Sequence, residues 1–156
     1  MGIPPGSDGT RVTLALMSKL TRDSKKILNI RLLALKLVNG NIQKDYSSEV
    51  KAIHKFVRDE IRYVRDVRGV ETIQTPVKTL EFGQGDCDDK STLLASLLES
   101  VGHPTRFVAV GFVPGKFSHV YVETKVGNRW IALETTEPWE AGRFPPGIVT
   151  RMVQHN

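Results

Sequence analysis

The chain has 156 residues, 40% of them apolar and 25% charged, with a net charge of +5 and a single cysteine. This size suits one domain with a core that needs no staples. One cysteine excludes an internal disulfide and a multi-cysteine metal site, and no apolar run approaches the ~20 residues of a membrane-spanning helix. The charge is uneven: residues 1–80 carry fifteen Lys/Arg against eight Asp/Glu, and residues 81–156 seven against nine.

Residues 1–9 read as a Gly/Pro-rich arm with neither the basic nor the apolar segment of a secretory signal. The expected location is therefore a bacterial cytoplasm, or a virion assembled there. Val12, Leu16 and Leu20 predict a helix over 10–20. Asp23 or Ser24 caps a second helix running to about Val38, with Ile27, Ile30, Ala34 and Leu37 on one face and Asn39-Gly40 at its end. Ser47 or Ser48 caps a third, on which Val50, Ile53, Val57, Ile61 and Val64 repeat at helical period. Lys51, Lys55, Arg58, Arg62 and Arg65 form a basic stripe on that helix, read as its solvated back. A docking face for nucleic acid or an acidic protein is the sharper alternative, but no aromatic interleaving supports it, and no nucleic-acid partner is expected.

From Asp66 to Asp86 the chain reads as one long loop with Gly69, Pro76, Gly83 and Gly85. A structureless stretch of ~20 residues is unusual unless it builds a site, and this one ends at Cys87. A helix over Asp86 to Val101 follows, with Asp86 as N-cap and Leu94, Leu98 and Val101 continuing the face that bears Cys87. Free N–H groups and the helix dipole at a first turn favour thiolate over thiol; plain packing is the other fate of a lone cysteine. Asp86, Asp88 and Asp89 read as capping and dipole-pairing carboxylates, so no metal is expected.

Gly102-His103-Pro104 stops this helix, and three strands are predicted: Arg106–Val113, apolar on both faces and hence central, then Phe117–Thr124 and Arg129–Glu134. Helices first and strands after make an α+β fold. A nucleophilic thiol needs a base held by a third group. Among His54, His103, His119 and His155, only His119 lies on a predicted strand. Period-two alternation puts His119, Tyr121 and Glu123 on one face, and Trp130, Ala132 and Glu134 on a shared face of the next strand. If Lys125–Asn128 all form the turn, His119 stands opposite Glu134; if Gly127-Asn128 alone turn, the two are diagonal neighbours, ~7–8 Å apart at the backbone. Tyr121 and Trp130 share the His119 face and are candidate walls of a substrate groove. Trp139 and the strap Phe144-Pro145-Pro146-Gly147 carry no clear assignment.

Cysteine at a helix start, then histidine and acid on successive strands, resembles the transglutaminase-like superfamily, in particular its bacterial and phage branch. The matching text is Gly85-Asp86-Cys87-Asp88-Asp89-Lys90-Ser91, Leu97-Leu98 through Gly102-His103-Pro104-Thr105-Arg106-Phe107, Ser118-His119-Val120-Tyr121-Val122-Glu123 and Trp130-Ile131-Ala132-Leu133-Glu134-Thr135-Thr136. Upstream, Ile61-Arg62-Tyr63-Val64-Arg65-Asp66 and Gln74-Thr75-Pro76 belong to it as well. The resemblance spans about residues 47–138. It implies a single domain (1–46 arm and helices, 47–138 catalytic core, 139–156 tail) of papain-like α+β fold, its cysteine helix packed on an antiparallel sheet. Cys87 is then nucleophile, His119 general base and acid, and Glu134 the orienting group, where the family usually has Asp.

The implied chemistry is acyl transfer on a peptide or carboxamide without any cofactor, and hydrolysis is preferred to cross-linking. The Cys87 amide with Gln74 or Gln84 would hold the oxyanion. The alternative is a structural or assembly component of a phage virion, such as a tail or baseplate. Pro/Gly-rich ends fray when alone, so protein partners are expected to hold the termini.

Overall fold

The computed structural model describes residues 7–40, 45–65 and 73–156. Helices α1 (Ser7–Ser24), α2 (Leu28–Val38) and α3 (Tyr46–Glu60) lead into a short strand β1 (Arg62–Tyr63). Helix α4 (Pro76–Phe82) and strand β2 (Gln84–Gly85) precede α5 (Cys87–Ser100). Strands β3 (Thr105–Gly111), β4 (His119–Val126), β5 (Arg129–Leu133) and β6 (Thr150–His155) complete the chain. β1 and β2 pair in parallel; the other four form a sheet of order β5-β4-β3-β6, antiparallel throughout.

Helix α5 is the axis of the molecule. Residues 89–98 are all buried, because α1, α2, α3 and α4 pack around it while its remaining side lies on β3 and β4. Leu93, Leu94, Leu97 and Leu98 meet Met17 of α1, Ile30 of α2, Ile53 and Val57 of α3, and Phe107, Val120 and Val122 of the sheet. Truncating one such leucine to alanine costs about 2–5 kcal/mol. Val108, Val110, Tyr121 and Ala132 face the other way and form a smaller cluster under Ile148 and Val153.

Several sequence expectations need correction. α1 buries Leu14, Met17, Ser18, Thr21 and Ser24, whereas Val12 and Leu16 face solvent. Small hydroxyl residues can line a helix contact because they bond their own backbone, as Thr21 Oγ1 does to the Met17 carbonyl at 2.9 Å. Residues 7–9 belong to α1 rather than to an arm, and Asp23 and Ser24 close α1 rather than cap α2, whose N-cap Ile27 has no side-chain bond. Asp45, not Ser47 or Ser48, caps α3, accepting the Ser48 amide at 3.1 Å and the Ser48 hydroxyl at 2.7 Å. α3 stops at Glu60, so Val64, Arg62 and Arg65 leave the helix, and Arg58 is tied to Asp59 and to the Trp139 carbonyl. The basic stripe is therefore broken.

Within the expected long loop, residues 66–72 lie outside the described residues. The rest is ordered as α4, with Pro76 at its first turn and Thr75 capping, followed by β2. β6 was not foreseen; it pairs with β3 from Arg106↔His155 to Gly111↔Thr150, so the chain itself holds its C-terminal end. β3 is apolar on both faces because Phe107 and Ala109 pack into the main core while Val108 and Val110 pack into the smaller cluster. The β4–β5 hairpin turns on Gly127 and Asn128 with Val126 opposite Arg129, and Gly127 supplies the positive φ (63°) that such a turn requires.

Candidate active site

Cys87 occupies the first position of α5, fixed there by a reciprocal capping box. The Asp89 amide donates to Asp86 Oδ1 at 2.9 Å, and the Asp86 amide to Asp89 Oδ2 at 3.1 Å. The same Asp89 carboxylate receives the Gln74 amide at 2.8 Å and Gln74 Nε2 at 3.1 Å, which pins the chain before α4 to the helix mouth. Gly85 is required beside it, since a Cβ there would lie 2.6 Å from Asp89 Cβ. These contacts account for Asp86 and Asp89 as structural carboxylates.

Ser91, one turn after Cys87, donates to the Val120 carbonyl at 3.4 Å, and the Val120 backbone hydrogen-bonds the Cys87 sulfur. The first turn of α5 thus rests on the residue that follows His119. His119 opens β4, and its Nε2 lies 2.6 Å from Glu134 Oε2. The observed hairpin register makes the two diagonal neighbours, the second of the two arrangements the sequence allowed. With Nε2 committed to the carboxylate, Nδ1 is the ring atom left to act as base.

Glu134 is almost fully buried and held on every side. Its Oε1 accepts the amides of Thr135 and Thr136 at 3.0 and 3.1 Å and the Thr136 hydroxyl at 3.0 Å. Burial pushes its pKa up, but the His119 hydrogen bond and charge, with the Thr136 amide and hydroxyl, outweigh that and hold it below the ordinary carboxylate value. The extra methylene of Glu relative to Asp lets one oxygen fold back onto its own chain while the other meets the imidazole.

The thiol departs from expectation. Burial, then the charge of Asp88, raise its pKa well above the ordinary value; Asp86 and Glu134 add to this, and the Val120 amide opposes it. The S–H also points at Asp88 Oδ1, 3.8 Å away. Residue Cys87 keeps some accessible surface, so the enclosure is one-sided. The helix N-terminus does not win here: desolvation and three carboxylates keep a neutral thiol.

Of the remaining candidates, Tyr121 lies beside the imidazole, ring centres 6.4 Å apart. Trp130 does not reach the site. It pairs with Lys125, six residues along β4 from His119, or ~20 Å at ~3.3 Å per residue, and it stacks instead with Arg106 and His155. Of the two glutamines, Gln74 gives one Nε2 hydrogen bond to Asp89, and Gln84 is exposed on β2.

Three residues that sequence reasoning passed over gather here. Tyr63 pairs with Gly85, and its hydroxyl senses the sulfur: burial first, then the charge of Cys87, raise its pKa. It lines a cavity of about 170 Å³ with Arg58, Arg62, Lys90, Thr136 and Glu137. His54 places Nε2 2.6 Å from the Glu134 main-chain oxygen. Lys90, 1% exposed, donates to the carbonyls of Ile61 at 2.6 Å and Arg58 at 3.2 Å. The sequence signal for His54 is weak: at 100° per residue it falls at the edge of the apolar face formed by Val50, Ile53, Val57 and Ile61.

A buried helix that opens on a thiol, lying against an antiparallel sheet that carries a His–carboxylate pair, defines a papain-like α+β protein. The family model of the transglutaminase-like superfamily matches residues 34–135, and the chain belongs to that superfamily. A comparison with curated proteins gives no match. Among solved structures it is similar to a candidate protease from Parabacteroides distasonis ATCC 8503, with TM-score 0.65 and 17% identity over 78% of this chain and 26% of that one. A candidate cysteine protease from Cytophaga hutchinsonii gives 0.57 and 22% over 82% and 46%. Legionella pneumophila LapG gives 0.58 and 16% over 85% and 80%. The chain thus spans about a quarter and under half of the first two proteins, and at these identities the likeness is one of fold.

Proposed function

We propose that this chain is a thiol acyl-transfer enzyme of transglutaminase-like type, acting as a hydrolase on a peptide or carboxamide. Because the thiol rests neutral, attack and proton transfer go together. Cys87 Sγ adds to the carbonyl carbon as His119 Nδ1 takes the S–H proton, and Glu134 stabilises the imidazolium that forms. The tetrahedral oxyanion is met by the Cys87 N–H at the helix mouth and by the Tyr63 hydroxyl. Collapse breaks the C–N bond, and the departing amine carries off the proton from His119. Water then gives a proton to His119 as it attacks the thioester, and the sulfur leaves as thiol by taking that proton back.

The single observation that carries this reading is the 2.6 Å His119–Glu134 bond at the end of the sheet that the Cys87 helix meets through Ser91 and Val120. The test is iodoacetamide labelling across pH. His119→Ala should slow labelling near neutral pH and leave it unchanged above the thiol's own pKa; identical profiles would overturn the proposal. A second reading draws on the raised thiol itself: the fold would serve as a structural or assembly component with little catalysis, and the identical-profile outcome is the one that favours it. Cleavage of a peptide library by wild type but not by Cys87→Ala would separate hydrolysis from both this reading and cross-linking.

A further inference from the structure

His54 and Lys90 are buried nitrogen-bearing side chains with no role in the steps above; His54 ends on the main chain of Glu134, and Lys90, on the Cys87 helix, ends on carbonyls at the close of α3. His54 of α3 is 1% exposed and reaches the Glu134 carbonyl oxygen at 2.6 Å. A carbonyl only accepts, so the ring is the Nε2–H tautomer. The carbonyl of Arg58, one turn further along α3, and that of Ile61, just past its end, receive the Lys90 ammonium, and Lys90 sits three residues after Cys87. The C-terminal half of α3 is thereby joined to the strand end that bears the acid and, separately, to the helix that bears the sulfur.

Plain packing does not account for this pair. Apolar side chains of similar volume would fill both positions without desolvating an ammonium or an imidazole, usually at equal or better stability. The ammonium closes carbonyls that the helix end leaves without intrahelical partners, and its charge is felt by Glu134 and Asp59. The site needs such a frame. Nucleophile and base stand on separate elements, α5 and β4, and a thiol–imidazole pair tolerates little misplacement.

We propose that His54 and Lys90 are positioning residues: acting through α3, they fix the Glu134 strand end relative to the Cys87 helix and so set where the His119 ring stands. The consequence for chemistry rests on the acyl-transfer reading; the positioning itself does not, and the experiment keeps the two apart.

Nitrogen-15 NMR of the wild-type chain should find His54 protonated on Nε2 with a lone pair on Nδ1, together with a downfield proton from the His119–Glu134 hydrogen bond. His54→Leu and Lys90→Met should broaden or abolish that downfield signal, whereas His54→Gln, which keeps an N–H aimed at the same carbonyl, should retain it. Neutral-pH labelling of Cys87 should fall about tenfold in His54→Leu and return to within about twofold of wild type in His54→Gln. An Nδ1–H tautomer for His54 in wild type, or an unchanged downfield signal in His54→Leu, overturns the proposal. The tautomer measurement needs no variant and so decides the matter even where a variant does not fold. Wild-type labelling that ignores His119 would defeat the acyl-transfer reading alone, leaving the NMR outcomes to judge the positioning.

Discussion

Glu134 uses its two carboxylate oxygens for different purposes: Oε2 meets His119 Nε2 at 2.6 Å, while Oε1 gathers the amides of Thr135 and Thr136 and the Thr136 hydroxyl. The second set of bonds prevents the side chain from swinging, so the imidazole is oriented by a carboxylate that is itself immobile. Glu134→Gln must either turn its NH2 toward His119 and force the wrong tautomer, or turn it toward two N–H groups and lose their bonds. Turnover by this variant should fall about a hundredfold or more, measured as kcat on any substrate found in a library screen. Glu134→Asp cannot reach both partners at once and should fall between the two. Wild-type turnover in Glu134→Gln would remove Glu134 from the mechanism.

Asp88 is the charge that most raises the Cys87 pKa, second only to burial. Asp88→Asn removes that charge and weakens the S–H acceptor while keeping the size of the side chain. The pH midpoint of iodoacetamide labelling should move down, with labelling at neutral pH several-fold faster than wild type. An unmoved midpoint would mean that burial alone holds the thiol neutral.

Two buried groups pull stability in opposite directions in mild acid. Asp89 is raised to about 6, by burial first and by the charge of Asp86, with the Gln74 amide opposing. Between its unfolded value of ~3.9 and about 6 the folded chain holds a proton the unfolded chain has released, so this contribution is full in acid and lost as pH rises through about 6. His54 is lowered, by burial first and then by Arg58 against the Glu134 carbonyl and the charges of Glu134 and Asp59. Its contribution is full above ~6.5 and lost as pH falls, because the unfolded chain takes up the proton first. Melting temperatures recorded from pH 4.5 to 7 should separate the two. Asp89→Asn should lose stability on acidification more steeply than wild type, and His54→Gln more gently. Curves parallel to wild type would show that neither group titrates in this window.

What could be read in the sequence was whatever local chemistry fixes. Asp86 caps α5 as expected because an acid before an apolar-periodic run has one economical use. The nearness of Glu134 to His119 was legible because period two and a two-residue turn leave that pairing little latitude. Depth decided the rest. The helix dipole favours ionisation of the thiol, and the flanking Asp86 and Asp88 that oppose it are visible in the sequence. The burial that raises its pKa most, and the approach of Glu134, are tertiary facts with no sequence signature. His54 and Lys90 look like ordinary helix residues until their partners, 80 and 29 positions away, are known. β6 was hidden because Thr150–His155 mixes Arg, Gln and His with only two apolar residues, as an edge strand can.

Tyr121 and Trp130 share a sheet face, and the sequence offers no reason to treat them differently; the fold separates them. The Tyr121 ring is 6.4 Å from that of His119. The Trp130 ring instead lies 4.3 Å from the Arg106 guanidinium and 5.5 Å from the His155 ring, while Arg106 is bound at 2.6 Å to Glu123, which Arg151 also approaches at 3.3 Å. Trp130 is thus a clasp joining β5 to β3 and β6 at the end of the sheet away from the site. Trp130→Ala should cost about 1–3 kcal/mol in chemical denaturation through lost ring contacts and cation–π attraction, with neutral-pH labelling of Cys87 within about twofold of wild type. Tyr121→Leu should do the reverse, slowing labelling about tenfold by loosening the imidazole, at a smaller cost in stability. Should Trp130→Ala slow Cys87 as much as Tyr121→Leu does, the sheet would be transmitting strain along its length, and the separation of clasp from site would be lost.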